Sequence, residues 1–104
     1  MDEHPGILFR DGRTGRRAVL VGGPDVREVI RAVKWTRAAE PELDPAGVVA
    51  LVEANTGVLA RLVEVAVRYW SNYPDEIDAW ISQAEALEAE AFAAWERQRG
   101  LLAR

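Results

Sequence analysis

The chain has 104 residues, about half of them apolar, with no cysteine and a net charge of −4. That length and apolar content suit one domain around a modest core, and the absence of cysteine excludes a disulfide framework and any thiolate metal site. No apolar run approaches the roughly 18 residues that a membrane-crossing helix needs, and no basic-then-apolar leader opens the sequence, so the expectation is a soluble, unsecreted, cytoplasmic protein.

Net acidity argues against simple nucleic-acid binding, because such domains are usually basic. The distribution of charge is uneven, however. Residues 1–39 carry eight basic and five acidic side chains, plus three, whereas residues 40–104 carry five and twelve, minus seven. A basic front and an acidic tail hint at two partners, one anionic and one that tolerates negative charge. An ordinary solvated acidic helix explains the tail as well.

Residues 1–6 read as a polar, frayed terminus, and His4, the one histidine, has no second ligand nearby in the sequence. Ile7-Leu8-Phe9-Arg10 and Arg16-Arg17-Ala18-Val19-Leu20-Val21 flank the glycine-containing loop Asp11-Gly12-Arg13-Thr14-Gly15, the pattern of a β-hairpin. A lone hairpin is marginal in water, so it must lie on the helices or pair with a second copy. Arg10, Arg13, Arg16 and Arg17 cluster around it and could grip phosphates. The stretch is glycine-rich and basic, yet it lacks both a GK[ST] ending and GxGxxG spacing, so it is a weak candidate for nucleotide binding.

Gly22-Gly23-Pro24-Asp25 turns the chain into a first helix, with Pro24 expected at its first position. Val26, Val29, Ile30 and Val33 make its apolar stripe; Arg27, Arg31, Lys34 and Arg37 make a basic face that could brace a DNA backbone. Residues 40–45 hold two prolines and read as a linker, with Asp44 capping the next helix before Pro45.

The stretch 45–77 organises the remainder. Val48, Val49, Leu51 and Val52 form a short helical face, Asn55-Thr56-Gly57 interrupts it, and Val58, Leu59, Leu62, Val63, Ala66 and Trp70 recur at helical spacing. Two helices joined by a short glycine turn are the skeleton of a helix-turn-helix. Val58, Val63 and Ala66 fall where apolar residues sit between the crossing helices. Glu53 stands where a small residue is usual, which implies a wider crossing or a variant of the motif. If the second helix enters a major groove, Thr56, Ala60, Arg61, Glu64 and Arg68 are the side chains placed to read it. A helical hairpin with a charged outer face, never touching DNA, is the plain alternative.

Pro74 ends that helix and opens another, with Asp75, Glu76 and Asp78 near its start. From Ile77 an apolar stripe runs through Trp80, Ile81, Ala84, Leu87, Ala91, Phe92 and Trp95 toward Gly100, in a segment dominated by alanine and glutamate. Its far half has little left to pack on. Phe92 and Trp95 are therefore expected to meet a protein partner or second subunit, or to dock back on the hairpin.

The order hairpin, Gly-Gly-Pro-Asp-Val helix start, helix-turn-helix, then Tyr69-Trp70 followed by Tyr73-Pro74-Asp75-Glu76-Ile77-Asp78, resembles a bacterial family of VapB-like antitoxins, catalogued as a domain of unknown function and encoded beside PIN-like ribonuclease toxins. The resemblance covers about residues 7–95. It departs from the family at Val21-Gly22-Gly23-Pro24, where a Gly-Thr-Arg-Ile-Pro stretch is common. It implies a homodimer that neutralises a cognate toxin with its C-terminal segment and represses its own operon by binding operator DNA. On that analogy residues 58–70 are the recognition helix and 80–101 the toxin-facing arm, with Trp80, Ile81, Leu87, Phe92 and Trp95 as partner-binding residues.

The expectation is a mainly α chain with a small N-terminal β-hairpin, a helix-turn-helix core and a long C-terminal helix. Residues 1–79 form the DNA-binding region and 80–104 the partner-binding arm of one compact domain. No catalytic residue, metal ligand or cofactor is assigned, because paired carboxylates in a cleft or a nucleophile beside a base are not evident. The alternatives are a transcription regulator without a toxin and a helical protein-interaction adaptor.

Overall fold

The computed structural model describes residues 6–12, 15–20 and 23–103, without side chains for 10–17. His4, Arg13 and the side chains of Arg10, Arg16 and Arg17 therefore lie outside the described residues. In chain order the elements are β1 Ile7–Gly12, β2 Gly15–Leu20, α1 Val26–Ala39, α2 Pro45–Thr56, α3 Ala60–Asn72 and α4 Pro74–Leu102. The chain is thus mainly helical, with one small antiparallel hairpin and a long last helix.

The strands pair from Ile7 opposite Leu20 to Gly12 opposite Gly15. Ile7, Ala18, Val19 and Leu20 are buried with the helices, so the hairpin gains its stability by lying on them. Phe9 adds an edge contact to the Tyr69 ring, 6.3 Å between centroids.

Helix α1 starts two residues later than the proline suggests, at Val26. Asp25 is its cap, its carboxylate accepting the Arg27 backbone N–H, while the Pro24 carbonyl is taken by the N–H of Leu20. Pro24 is held back because its carbonyl closes the turn from β2. Val26, Val29 and Ile30 are buried as the spacing predicts. Asp44 caps α2 as expected, its Oδ1 accepting from the Gly47 N–H at 2.7 Å, with Pro45 at the first helical position.

The core gathers where these elements meet: Leu20, Val26, Val52, Val63, Ala66 and Ile77 are all but fully enclosed. Burying each such Val, Leu or Ile side chain stabilises by about 1.5–3 kcal/mol. Leu59 departs from the sequence pattern, standing about half exposed at the head of α3. It lies in the turn, where helical periodicity no longer dictates its direction.

Helix α4 has 29 residues, about 43 Å at 1.5 Å per residue. Only its first half packs, through Ile77, Trp80, Ile81 and Ala84; from Glu85 onward every described residue is exposed. The helix runs past Gly100 to Leu102, because one glycine cannot stop a segment so rich in alanine and glutamate. The radius of gyration, 16.5 Å, exceeds the roughly 13 Å of a compact chain this long, and the uncovered half of α4 accounts for the excess. No single helix among the described residues is long and apolar enough to cross a membrane.

Candidate nucleic-acid interface

The axes of α2 and α3 meet at 115° across a break of three residues. That angle falls in the roughly 90–120° range of a helix-turn-helix, toward its wide end. Gly57 makes the bend: it closes α2 in the left-handed region at φ 79°, donating its N–H to the Glu53 carbonyl. An L side chain there is disfavoured, which explains the glycine.

Glu53 supplies the other half of the turn. Helix α3 opens at Leu59, which has no side chain able to cap, and the Glu53 carboxylate reaches across to accept the Ala60 N–H at 3.1 Å. A negative group at the positive end of a helix is favourable, and the bond satisfies a donor that would otherwise be orphaned. The acidic residue that looks anomalous in the sequence is therefore the clip between the two helices.

Thr56 ends α2, its hydroxyl donating to the Val52 carbonyl and accepting from the Val58 N–H, so both its bonds stabilise the turn. Ala60 is partly buried in the first turn of α3. Arg61, Glu64 and Arg68 do share an exposed face, one stripe at helical spacing opposite the buried Val63, Ala66 and Tyr69. Neither arginine enters an ion pair among the described residues. Ser71 and Asn72 continue the face, but their side chains bond the Arg68 carbonyl. Leu59 at the head of α3 is an exposed apolar neighbour that the sequence pattern assigned to the core.

The basic face of α1 does not remain free to brace a backbone. Arg27 pairs with Asp25 and lies 4.6 Å over the Trp80 ring. Arg31 bonds both carboxylate oxygens of Glu88 and lies near Glu85. Lys34 Nζ is 3.2 Å from Asp78 and 5.2 Å over the Trp70 ring. Arg37 alone of the four is exposed without an ion pair among the described residues. The reason is that α4 crosses α1 and presents Asp78, Glu85 and Glu88 to it, which a reading of α1 by itself does not reveal.

Tyr69, Trp70 and the Tyr73-Pro74-Asp75-Glu76-Ile77-Asp78 block form the corner between α3 and α4. Tyr69 Oη donates to Glu76 at 3.0 Å, and Trp70 Nε1 donates to Asp78 at 2.9 Å. Pro74 starts α4 and Ile77 enters the core. The Trp70 hydrogen bond, then Lys34, hold the Asp78 carboxyl below its ordinary range, and the hydrogen bond from Arg31 does the same for Glu88. The same bond raises Arg31 further. The segment that carries most of the resemblance is thus a structural latch.

On the arm, Ile81 is buried in the intramolecular core and Trp80 is partly buried beneath Arg27, because α1 crosses there. Leu87, Phe92 and Trp95 are exposed, as are Leu101 and Leu102, and Phe92 packs on Trp95 with centroids 5.7 Å apart. They do not dock back on the hairpin. Trp35, on the outer side of α1 beneath Arg31, is a large exposed aromatic that the sequence reading passed over; its place beside Arg31 on an otherwise basic face was the available signal. Among the described residues no three histidines or carboxylates stand close enough to hold a metal ion.

Compared with protein-family models, curated proteins and solved structures, the chain matches none.

Proposed function

We propose that the chain is a cytoplasmic DNA-binding regulator of the antitoxin type, which meets operator DNA as a homodimer through α3. The observation that carries this reading is the 115° glycine-turned helix pair with Arg61, Glu64 and Arg68 on one uncovered face of its second helix. Arginine is the commonest reader of guanine edges and also neutralises phosphates; a glutamate can accept from cytosine. Two copies are needed, because a single α3 offers few charges and paired recognition helices must sit about 34 Å apart to meet successive major grooves.

The identity of the protein partner, a PIN-like ribonuclease toxin bound by the arm, rests on the resemblance around residues 69–78. An exposed arm rich in glutamate supports it, since an enzyme that binds phosphate commonly carries a basic rim.

Fluorescence anisotropy with the duplex upstream of the coding gene tests the DNA reading. Arg61→Ala with Arg68→Ala is expected to weaken binding at least about tenfold, each lost base or phosphate contact being worth about 1–3 kcal/mol. Unchanged circular dichroism would show the fold intact. Undiminished affinity, or no duplex retained at any salt concentration, would leave a helical adaptor as the answer.

A further inference from the structure

We propose that the uncovered half of α4 is a dimerisation element that pairs antiparallel with the same segment of a second copy, about a two-fold axis at Ala93. This goes beyond the DNA reading and can fail without it; self-pairing and toxin binding are then mutually exclusive uses of the same face.

The stripe that buries Ile77 and Ile81 continues along the same side of the helix as Ala84, Glu88, Ala91, Trp95, Gln98 and Leu102, at alternating steps of four and three. That is the seam spacing of a two-helix coil. Past Glu88 nothing described covers it. Leu87, Phe92, Trp95, Leu101 and Leu102 are between 48% and 80% exposed, on the order of 600 Å² of apolar surface per chain given the size of such side chains. A standard interface removes about 800 Å² per partner, so the patch suffices once the flanking stems join it.

Charge chooses the occupant and its direction. Toward its root the arm carries Glu85, Glu88 and Glu90 with no base on the helix itself, Arg31 of α1 neutralising part of that charge through Glu88 and Glu85; toward its tip it carries Arg97 and Arg99, with Glu96. Such a gradient repels a parallel copy and attracts an antiparallel one. An isologous interface requires each contact to recur in reverse, and the axis at Ala93 meets that condition at every layer. Ala91 faces the bulky Trp95 of the second copy, Ala84 faces Leu102, and the Gln98 amide faces Glu88. On one flank Glu85 meets Arg99 and the two Phe92 rings meet at the axis. On the other, Leu87 meets Leu101 across a pair of Ala94 residues.

The tip of the second copy then reaches the root of the first. Leu101 and Leu102 arrive beside the exposed Trp35 and the cleft of about 390 Å³ between α1 and α4, lined by Arg31, Lys34, Trp35, Asp78 and Glu85 among others. The pairing thus covers the one large aromatic that α1 leaves outside.

The test uses the whole chain, and its lack of cysteine makes single-cysteine variants clean reporters. Sedimentation equilibrium should show a dimer, and Trp95→Glu should raise its dissociation constant at least about thirtyfold, as for a central hot spot. Helical circular dichroism should be retained. A short bis-maleimide should join Ala94→Cys copies but not Ala103→Cys copies, whose sulfurs lie about 30 Å apart in this register. Linkage at both positions would mean parallel arms and would overturn the proposal. So would failure of Ala94→Cys to link, a dimer indifferent to Trp95→Glu, or a monomer even at about 100 µM; the last would reserve the arm for a different protein.

Discussion

Replacing Gly57 with alanine perturbs the bend between α2 and α3 and nothing else. The residue sits at φ 79°, ψ 0°, where an L side chain costs roughly 1–2 kcal/mol. A Cβ built there meets no atom within 4 Å, so steric crowding adds nothing. Alanine also stiffens the unfolded chain, which offsets about 0.4–1 kcal/mol. The net expectation is a loss of about 1 kcal/mol, or roughly 4–8 °C in melting temperature for a domain of this size. Thermal unfolding followed by far-ultraviolet circular dichroism reads it directly. Gly57→Asn should recover part of the loss, since asparagine tolerates the left-handed region better. Gly100 is the control: it too has open space around a built Cβ, but it lies inside α4. Alanine there should raise helicity, by up to about 1 kcal/mol of propensity. Opposite signs at two equally uncrowded glycines identify backbone conformation as the cause. A Gly57→Ala variant as stable as the parent would refute the left-handed turn and the helix-turn-helix with it.

Three further outcomes are expected. Glu53→Ala should cost about 0.5–2 kcal/mol in thermal unfolding, the usual worth of a helix cap; Glu53→Gln, which keeps an acceptor for the Ala60 N–H, should cost less, and equal losses would refute capping. Asp78 and Glu88 are held below the ordinary carboxylate range, chiefly by the Trp70 indole N–H and by Arg31 respectively. Their contribution is therefore complete above the unfolded values near 4 and is lost as pH falls through the lower folded ones. Tryptophan fluorescence should report the root of α4 loosening below about pH 4, and Asp78→Asn should remove most of that change. For operator binding, two arginines on α3 per copy give about four neutralised phosphates per dimer and a log–log salt slope near −4. A slope above about −1 would exclude the α3 contact as drawn.

Local chemistry was legible in the sequence wherever one residue decides an outcome. Asp44 before Pro45, Gly57 between two apolar runs and Pro74 after Tyr73 each place a helix end, and the structure puts one there. The stripe of α1 and the crossing residues Val63 and Ala66 were readable for the same reason: their burial follows from periodicity alone. What failed depended on contacts made at long sequence separation. Arg31 and Glu88 lie 57 residues apart, so no window on α1 could show that its basic face meets α4. Ile81 looked like part of a free arm because the crossing of α1 was invisible. Glu53 looked wrong for the motif, because the donor it satisfies, at Ala60, is seven residues away across a bend. Thr56 ends α2 instead of standing near the start of the second helix, because the break of Gly57, Val58 and Leu59 separates it from α3.

The same residue type meets two fates in this chain, and the difference follows from what faces it. Arg31 and Lys34 look across at the acids of α4 and Arg27 is held by Asp25, and the three lie over the faces of Trp35, Trp70 and Trp80 respectively. There they act as struts that fix the root of the arm to the body. Arg61 and Arg68 look out from α3 with a single acid, Glu64, between them. A chain of net charge −4 can therefore still offer a duplex a locally positive helix, because the cations best placed to be neutralised internally are already paired with the acids that depress the total. Net charge governs long-range steering, whereas contact is decided by the face that arrives. On this logic the acidic sum argues for slow, dimer-dependent encounter with DNA, and the face of α3 argues for contact once it arrives.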